Sequence, residues 1–149
     1  MELLMTQKLV YELRKVLANT FVMYYKAHVA HWNVEGMSFD SLHKFFGELY
    51  GDLHGAVDPI AEHLRGLGVY APVSLSGLMS ECEVPEDTGV LDAPDMIVGL
   101  VAANDLVRAS LYRAHIEADE AKEYGVVNYL EARIDMHDKW AWQLRSHLK

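Results

Sequence analysis

Six side chains in the first half of the chain are of the types that bind transition metals: His28, His31, His43, His54, Asp58 and Glu62. Imidazole nitrogen and carboxylate oxygen atoms are ligands that iron and zinc take up in proteins. Asp58 and Glu62 are four residues apart, so on a helix both carboxylates lie on one face. The residue types and this spacing predict a metal site that combines histidine and carboxylate ligands.

The separation along the chain decides how these ligands can meet. His43 and Asp58 are 15 residues apart, which on one helix is about 22 Å at about 1.5 Å per residue. Metal–ligand bonds are about 2 Å long, so these two residues of one chain cannot hold one metal cluster. Either the chain carries two half-sites, or a second subunit lays its own copy of the helix alongside, antiparallel. A two-fold axis would then place His43 opposite Asp58 and Glu62 of the partner subunit, and would do so twice.

Four long stretches repeat apolar residues with the 3.6-residue period of a helix, and strand-like alternation is scarce. They run from about Leu3 to Trp32, Ser38 to Leu67, Asp95 to Glu120 and Val126 to His147. Ser38 is a suitable N-cap for the second stretch. A long proline-containing connection follows it, in which Leu75 to Met79 is predicted to form a short helix. The layout predicts a single all-α domain over residues 1–149, a ferritin-like four-helix bundle with one long crossover. Composition alone also fits a generic four-helix protein.

The charge and the cysteine content exclude several function classes. The chain has 22 acidic and 13 basic residues, a net charge of −9, and no Lys/Arg-rich tail, so DNA is not an expected partner whereas cations are. The sequence contains no run of 18 apolar residues, so no membrane span is predicted. The N-terminal region lacks the unbroken apolar core of a signal peptide. The single Cys82 is interpreted as a spectator thiol in a reducing, cytoplasmic compartment.

Three glycines stand four residues apart inside the second predicted helix: Gly47, Gly51 and Gly55. Each glycine destabilises a helix interior by about 1 kcal/mol relative to alanine. We interpret three glycines on one side of a helix as a surface that a neighbouring helix can approach closely. This interpretation is compatible with the two-fold pairing.

Di-iron proteins with the site inside a single bundle use Glu-x-x-His on facing helices. This sequence has no Glu-x-x-His, and its nearest pattern is Asp40-Ser41-Leu42-His43. An intrasubunit di-iron site of that type is therefore disfavoured.

Two runs of residues carry a family resemblance. The run from His31 to His43, HWNVEGMSFDSLH, resembles a signature of the Dps mini-ferritins (DNA-binding proteins from starved cells). The run from Asp58 to Glu62, DPIAE, resembles the second signature of that family, and the C-terminal WQLRSHL resembles its last helix. The likeness spans almost the whole chain.

The resemblance implies a dodecameric hollow shell built from two-fold dimers, with a ferroxidase centre at each dimer interface. His31 and His43 would come from one subunit, and Asp58 and Glu62 from its partner. Members of the family oxidise Fe(II), commonly with hydrogen peroxide, and store iron inside the shell; zinc could occupy the same ligands. Trp32 sits beside the centre in the family, and the alternative interpretation is a core aromatic.

Departures from the family pattern give further expectations. The family usually places a carboxylate ligand four residues after the second histidine, where this chain has Gly47, while Glu48 lies about 100° round the helix. The second iron is therefore expected to bind weakly, and the alternative function is a non-catalytic cage that holds one metal per site. Pro59 is expected to bend the second helix.

The family admits iron through acidic three-fold pores. Asp119, Glu120 and Glu123 are the candidates here, and a solvated helix end is the alternative.

Overall fold

The computed structural model describes residues 1–149 as five α-helices without a β-strand. The helices are α1 (Glu2–Asn33), α2 (Phe39–Gly66), α3 (Leu75–Met79), α4 (Ala93–Glu120) and α5 (Tyr124–Ser146). The all-α bundle with its long crossover is confirmed, and the predicted helix ends lie within two residues of the observed ones. None of the five helices has the length and apolar character needed to cross a lipid bilayer.

The four long helices bury one apolar core. Helix α1 packs against both α2 and α4, and α4 packs against α5. On α1 the predicted apolar face is buried from Leu9 to Leu17, but Tyr25, further along the same face, is 53% exposed and His28 is only half-buried. The second half of that face therefore opens onto the surface along the seam between α1 and α2.

The ends of the helices follow local hydrogen bonding. Helix α2 begins directly after Ser38, as predicted, but the Ser38 hydroxyl makes no capping hydrogen bond. Gly68, with φ of 88°, ends α2 in the left-handed region, where its N–H donates to the Arg65 carbonyl over 3.0 Å. Pro59 lies inside α2 without ending it, and the bend expected there stays a prediction.

The crossover, residues 67–92, is fixed along the bundle by a polar cluster. Glu83 of the crossover donates its backbone N–H to the side-chain oxygen of Asn19 over 2.7 Å, and its carboxylate accepts from the Asn19 amide over 2.9 Å. Arg113 bridges the same carboxylate to Glu12 over 2.6 and 3.0 Å. These bonds join the crossover to α1 and α4. On α1 and α2, His31 and His43 stay partly exposed and His54 is exposed.

Candidate metal-binding surface

His31 near the end of α1 and His43 near the start of α2 form a reciprocal pair. Their rings stack with centroids 3.8 Å apart. Nδ1 of His31 lies 2.6 Å from the carbonyl oxygen of His43, and Nδ1 of His43 lies 2.7 Å from the carbonyl oxygen of His31. A carbonyl oxygen only accepts, so each Nδ1 is the donor, and in the neutral form of each ring the lone pair is on Nε2. Hydrogen bonds of this kind orient metal-ligating histidines.

Two more histidines extend this pair along the α1–α2 seam. His28 stacks on Tyr50 at 3.9 Å and donates to, or accepts from, the Tyr24 hydroxyl through Nδ1 at 3.0 Å. The ring of His54 lies 4.8 Å from that of Tyr24. Burial, and then the neighbouring histidines 31 and 54, lower the pKa of His28, so this ring stays neutral at neutral pH. We refer to His28, His31, His43 and His54 as the histidine seam.

Trp32 borders the histidine seam. Its ring centroid lies 4.0 Å from that of His28, and the side chain is 55% exposed. The interpretation of Trp32 as a core aromatic is therefore wrong, because this indole lies on the surface of the chain, beside the histidines.

Asp58 and Glu62 form a second pair further along α2, and both are exposed. Hydrogen bonding to Asp58 and the negative charge of that residue raise the pKa of Glu62. Two carboxylates held this close stabilise a proton between them, and a bound cation would relieve the same repulsion. Within one chain no three His, Cys, Asp or Glu side chains converge on a common point. The structure thus holds the four predicted ligands as two separate pairs.

The glycines of α2 differ from one another. A Cβ atom on Gly47 would lie 3.2 Å from Nδ1 and 3.3 Å from Cε1 of His31, which is tighter than ordinary contact. A Cβ atom on Gly51 or Gly55 would have no neighbour within 4 Å. Of these three glycines only Gly47 makes a close approach within the chain, and its neighbour is a side chain and not a helix backbone. The faces at Gly51 and Gly55 are open.

The interior of the bundle holds a polar network that sequence reasoning missed. Asp52 accepts from both terminal nitrogens of Arg133 at 3.0 Å and from Trp140 Nε1 at 2.8 Å. His137, fully buried, pairs through Nδ1 with the Asn104 side-chain oxygen at 2.7 Å and through Nε2 with Arg133 at 3.3 Å. Burial, with the charge of Arg133, lowers the pKa of His137 to about 3. The only sequence signal for this network was the helical spacing of Arg133, His137 and Trp140 on α5.

Other candidate positions lie away from the histidine seam. Asp119 and Glu120 are exposed at the end of α4, and Glu123 precedes α5; their assignment to a three-fold pore stays a prediction.

A cleft of about 250 Å³ lies between α1 and the crossover, where Lys26 pairs with Asp87 at 3.0 Å. This cleft contains none of the metal-ligand candidates.

Known proteins are similar to this chain over almost its whole length. Residues 11–149 match the family described as Ferritin-like domain. The DNA protection during starvation protein of Brevibacillus brevis is 34% identical over 139 residues, 92% of each chain. A crystal structure of a Dps protein from Bacillus brevis is similar with a TM-score of 0.92 at 31% identity over 97% of both chains. A second similar structure is that of the Dps protein from Vibrio cholerae O1, described as a member of a broad superfamily of ferritin-like diiron-carboxylate proteins. Its TM-score is 0.92 at 30% identity, over 97% of this chain and 91% of that chain.

Proposed function

The chain belongs to the ferritin-like domain family, among the Dps proteins, and we propose that it oxidises Fe(II) and stores iron as a subunit of a dodecameric shell. In this proposal a di-nuclear ferroxidase centre lies at each two-fold dimer interface. His31 and His43 of one subunit face Asp58 and Glu62 of the partner subunit. We place the shell in the cytoplasm.

One observation carries this proposal. The histidine pair presents two free Nε2 lone pairs, fixed by reciprocal hydrogen bonds of 2.6 and 2.7 Å, while the carboxylate pair lies about 22 Å further along α2. Neither pair alone makes a complete coordination shell, and an antiparallel partner brings one of each together. The acidic net charge of −9 favours the approach of cations.

The ligand set suits the oxidation of iron. Two Fe(II) ions each release one electron, and the pair reduces one hydrogen peroxide with two protons to two waters; dioxygen is the alternative oxidant. The carboxylates of Asp58 and Glu62 stabilise the higher charge of Fe(III) more than that of Fe(II), because the attraction grows with charge. Zinc takes the same nitrogen and oxygen ligands and should compete with iron.

Mixing variants tests whether the ligands act across subunits. Shells made only of His43→Ala chains, or only of Asp58→Ala chains, should bind no iron at the centre. In a mixed dimer one centre regains all four ligands and the other loses two. Mixed dimers should therefore recover half of the metal-binding capacity and half of the Fe(II) oxidation. Assembled mixed dimers that recover neither would refute shared sites.

Gly47 favours a second candidate function, a cage that binds one metal per site without rapid turnover. A carboxylate at position 47 would need the His31 ring to yield, because a Cβ there lies 3.2 Å from Nδ1. Calorimetric titration with Fe(II) under anaerobic conditions separates the candidates. If the alternative is right, the wild-type centre binds one ion tightly, and Gly47→Asp strengthens the second ion once the ring has shifted.

Duplex DNA is not a partner in this proposal, although the Brevibacillus relative is named for DNA protection. Affinity for DNA comes mainly from Lys and Arg side chains that neutralise phosphates, and this chain is acidic. A gel-shift assay at neutral pH and physiological salt should show no retarded band. A band that fades as salt rises would reveal a basic surface patch and contradict the expectation.

A further inference from the structure

His54 stands in line with the carboxylate pair. His54, Asp58 and Glu62 follow one another at four-residue intervals on α2, so their side chains lie on one face. The four residues from His54 to Asp58 rise about 6 Å along the helix, a distance that a shared metal ion can bridge. His43 of the same chain is 11 residues away, about 16 Å along the helix, which no shared ion can bridge.

The two-fold arrangement of the proposed function sets the position of His54 relative to its partner. If His43 lies level with the interval between Asp58 and Glu62 of the partner subunit, the two-fold axis crosses α2 level with residues 51–52. Going from His43 to Gly47 moves one turn toward this axis. Going from Asp58 to His54 on the partner subunit also moves one turn toward it. Gly47 then lies level with the interval between Asp58 and His54 of the partner subunit.

The surface at this level has room beside Gly51 for a side chain of a partner subunit. Gly47 carries no ligand atom, and His31 packs so closely on it that a Cβ would lie at 3.2 Å. Gly51, next to the expected axis, leaves open space. The His54 side chain is exposed, with its ring resting on Tyr24 at 4.8 Å.

We propose that His54 of the partner subunit supplies the metal ligand that Gly47 lacks, since it projects one helical turn from Asp58 on the same face of α2. The proposal rests on the shared centre of the proposed function. Each centre then has three imidazoles and two carboxylates, and both metal positions are filled with comparable affinity. The weak second site expected from Gly47 is thereby replaced by a histidine-completed one.

This ligand exchange changes the metal preference of the centre. An imidazole in place of a carboxylate removes one negative charge, so the centre favours divalent ions over Fe(III) more than a centre with three carboxylates would. Nitrogen ligands also suit Zn²⁺ and Co²⁺. Zinc should accordingly be a strong competitor of Fe(II), and Co²⁺ is a spectroscopic probe of the completed shell.

The first test is titration of the assembled, metal-free protein with Co²⁺ and Zn²⁺. We expect two ions per centre in the wild type. In His54→Asn the affinity for one of them should fall by at least about 10–100-fold, because the loss of a mere outer-shell partner of a metal ligand already has an effect of that size. His54→Asp, which restores an anionic ligand, should recover the second ion. His63→Asn, on the opposite face of the same helix, is the matched control and should bind two ions.

The second test asks from which subunit His54 acts. Mixed dimers of a His43→Ala chain and an Asp58→Ala chain keep one intact centre, whose His43 comes from the second chain and whose Asp58 comes from the first. Adding His54→Asn to the first chain should weaken the second ion at that centre. Adding it to the second chain should have no effect there. The reverse result would overturn assignment to the partner subunit.

The outcomes separate this inference from the proposed function. If His54→Asn binds both ions like the wild type while Asp58→Ala binds neither, His54 is not a ligand and the shared centre stands. If the wild type binds a single ion per centre, the inference is wrong and the one-metal alternative holds. If Asp58→Ala binds both ions, the proposed function itself fails.

Discussion

The chain holds histidines in two contrasting settings, the histidine seam on the surface and the polar network inside the bundle. In the network His137 has both ring nitrogens paired within the chain and a pKa lowered to about 3. In the seam, His31 and His43 have only Nδ1 paired, and Nε2 is left for a group outside the chain. The same residue type is thus inert in one setting and available in the other.

The contrast accounts for where metal can bind in this fold. Many ferritin-like bundles hold their metals between the helices, on carboxylates and histidines that face inward. Here the inward carboxylate, Asp52, is neutralised by Arg133 through two bonds of 3.0 Å, and His137 is occupied by Asn104 and Arg133. Because Asp52 and His137 are already paired inside the chain, the proposed centre uses side chains at the surface, where a partner subunit would add the remaining ligands.

The largest expected effect comes from breaking the network. Arg133→Ala leaves Asp52 without its cationic partner, and removal of one partner of a buried ion pair destabilises a protein by about 3–5 kcal/mol. The Asp52 side chain keeps 24% exposure, so we expect the lower end, about 3 kcal/mol. Urea denaturation at one fixed protomer concentration without metal measures this change. Iron binding by the folded fraction should be unchanged.

A matched pair of variants sharpens the comparison. Lys139→Ala removes an exposed ion pair with Asp135 of 3.3 Å and should change the free energy of unfolding by less than about 1 kcal/mol. His43→Ala removes the hydrogen bond of 2.7 Å from that ring to the His31 carbonyl, so it should cost about 1 kcal/mol of stability, less than Arg133→Ala, while it abolishes metal binding. If Arg133→Ala proves as mild as Lys139→Ala, the network does not hold the interior together.

The second effect is a pH dependence that originates in the network. The pKa of His137 is about 3 when folded and 6.5 when unfolded. Between these values the unfolded chain takes up a proton that the folded chain does not, so stability falls as pH falls, by up to about 1.4 kcal/mol per pH unit. Because of this group, the free energy of unfolding at pH 5 is about 2 kcal/mol lower than at pH 7. Above about pH 7.5, where the unfolded histidine is also almost fully neutral, this contribution is nearly constant.

Denaturation of wild type and His137→Gln at several pH values checks the origin of this slope. The variant should be less stable at pH 7 but should lose less stability on acidification to pH 5. Parallel slopes in the two proteins would assign the acid sensitivity to other groups. Burial alone would raise the pKa of Asp52, but its hydrogen bond to Arg133 and the charge of that residue lower it. Asp52 therefore also makes the folded chain less stable as pH falls, at pH values below those at which His137 acts.

The sequence was informative where its signals are local. The 3.6-residue period predicted the four long helices, and the spacing of Asp58 and Glu62 predicted that the two carboxylates share a face of α2, because both depend on neighbours within a turn or two. The network was missed because Asp52 and Arg133 are 81 residues apart, and nothing in the sequence says which faces of α2 and α5 meet. The stacking of His31 on His43 and the contact of His31 with Gly47 likewise required the packing of two helices.

The smallest effect concerns the glycines, and it separates local helix propensity from packing in the histidine seam. Gly55→Ala adds a methyl group that meets nothing within 4 Å in the chain, so it should stabilise the helix by up to about 1 kcal/mol. Gly47→Ala brings the same gain in propensity but presses on the His31 ring at 3.2 Å. That ring is fixed by its bond of 2.6 Å to the His43 carbonyl, so it has to shift and weaken the bond.

We therefore expect Gly47→Ala to leave the free energy of unfolding within about 0.5 kcal/mol of the wild type, because the lost hydrogen-bond energy of about 1 kcal/mol offsets the propensity gain. The displaced His31 should also bind Co²⁺ several-fold more weakly. Gly55→Ala at the same protomer concentration is the control for helix propensity. Equal stabilisation by both substitutions, with Co²⁺ affinity unchanged, would mean that the His31 ring moves aside freely. Gly47 would then be no constraint on the geometry of the seam.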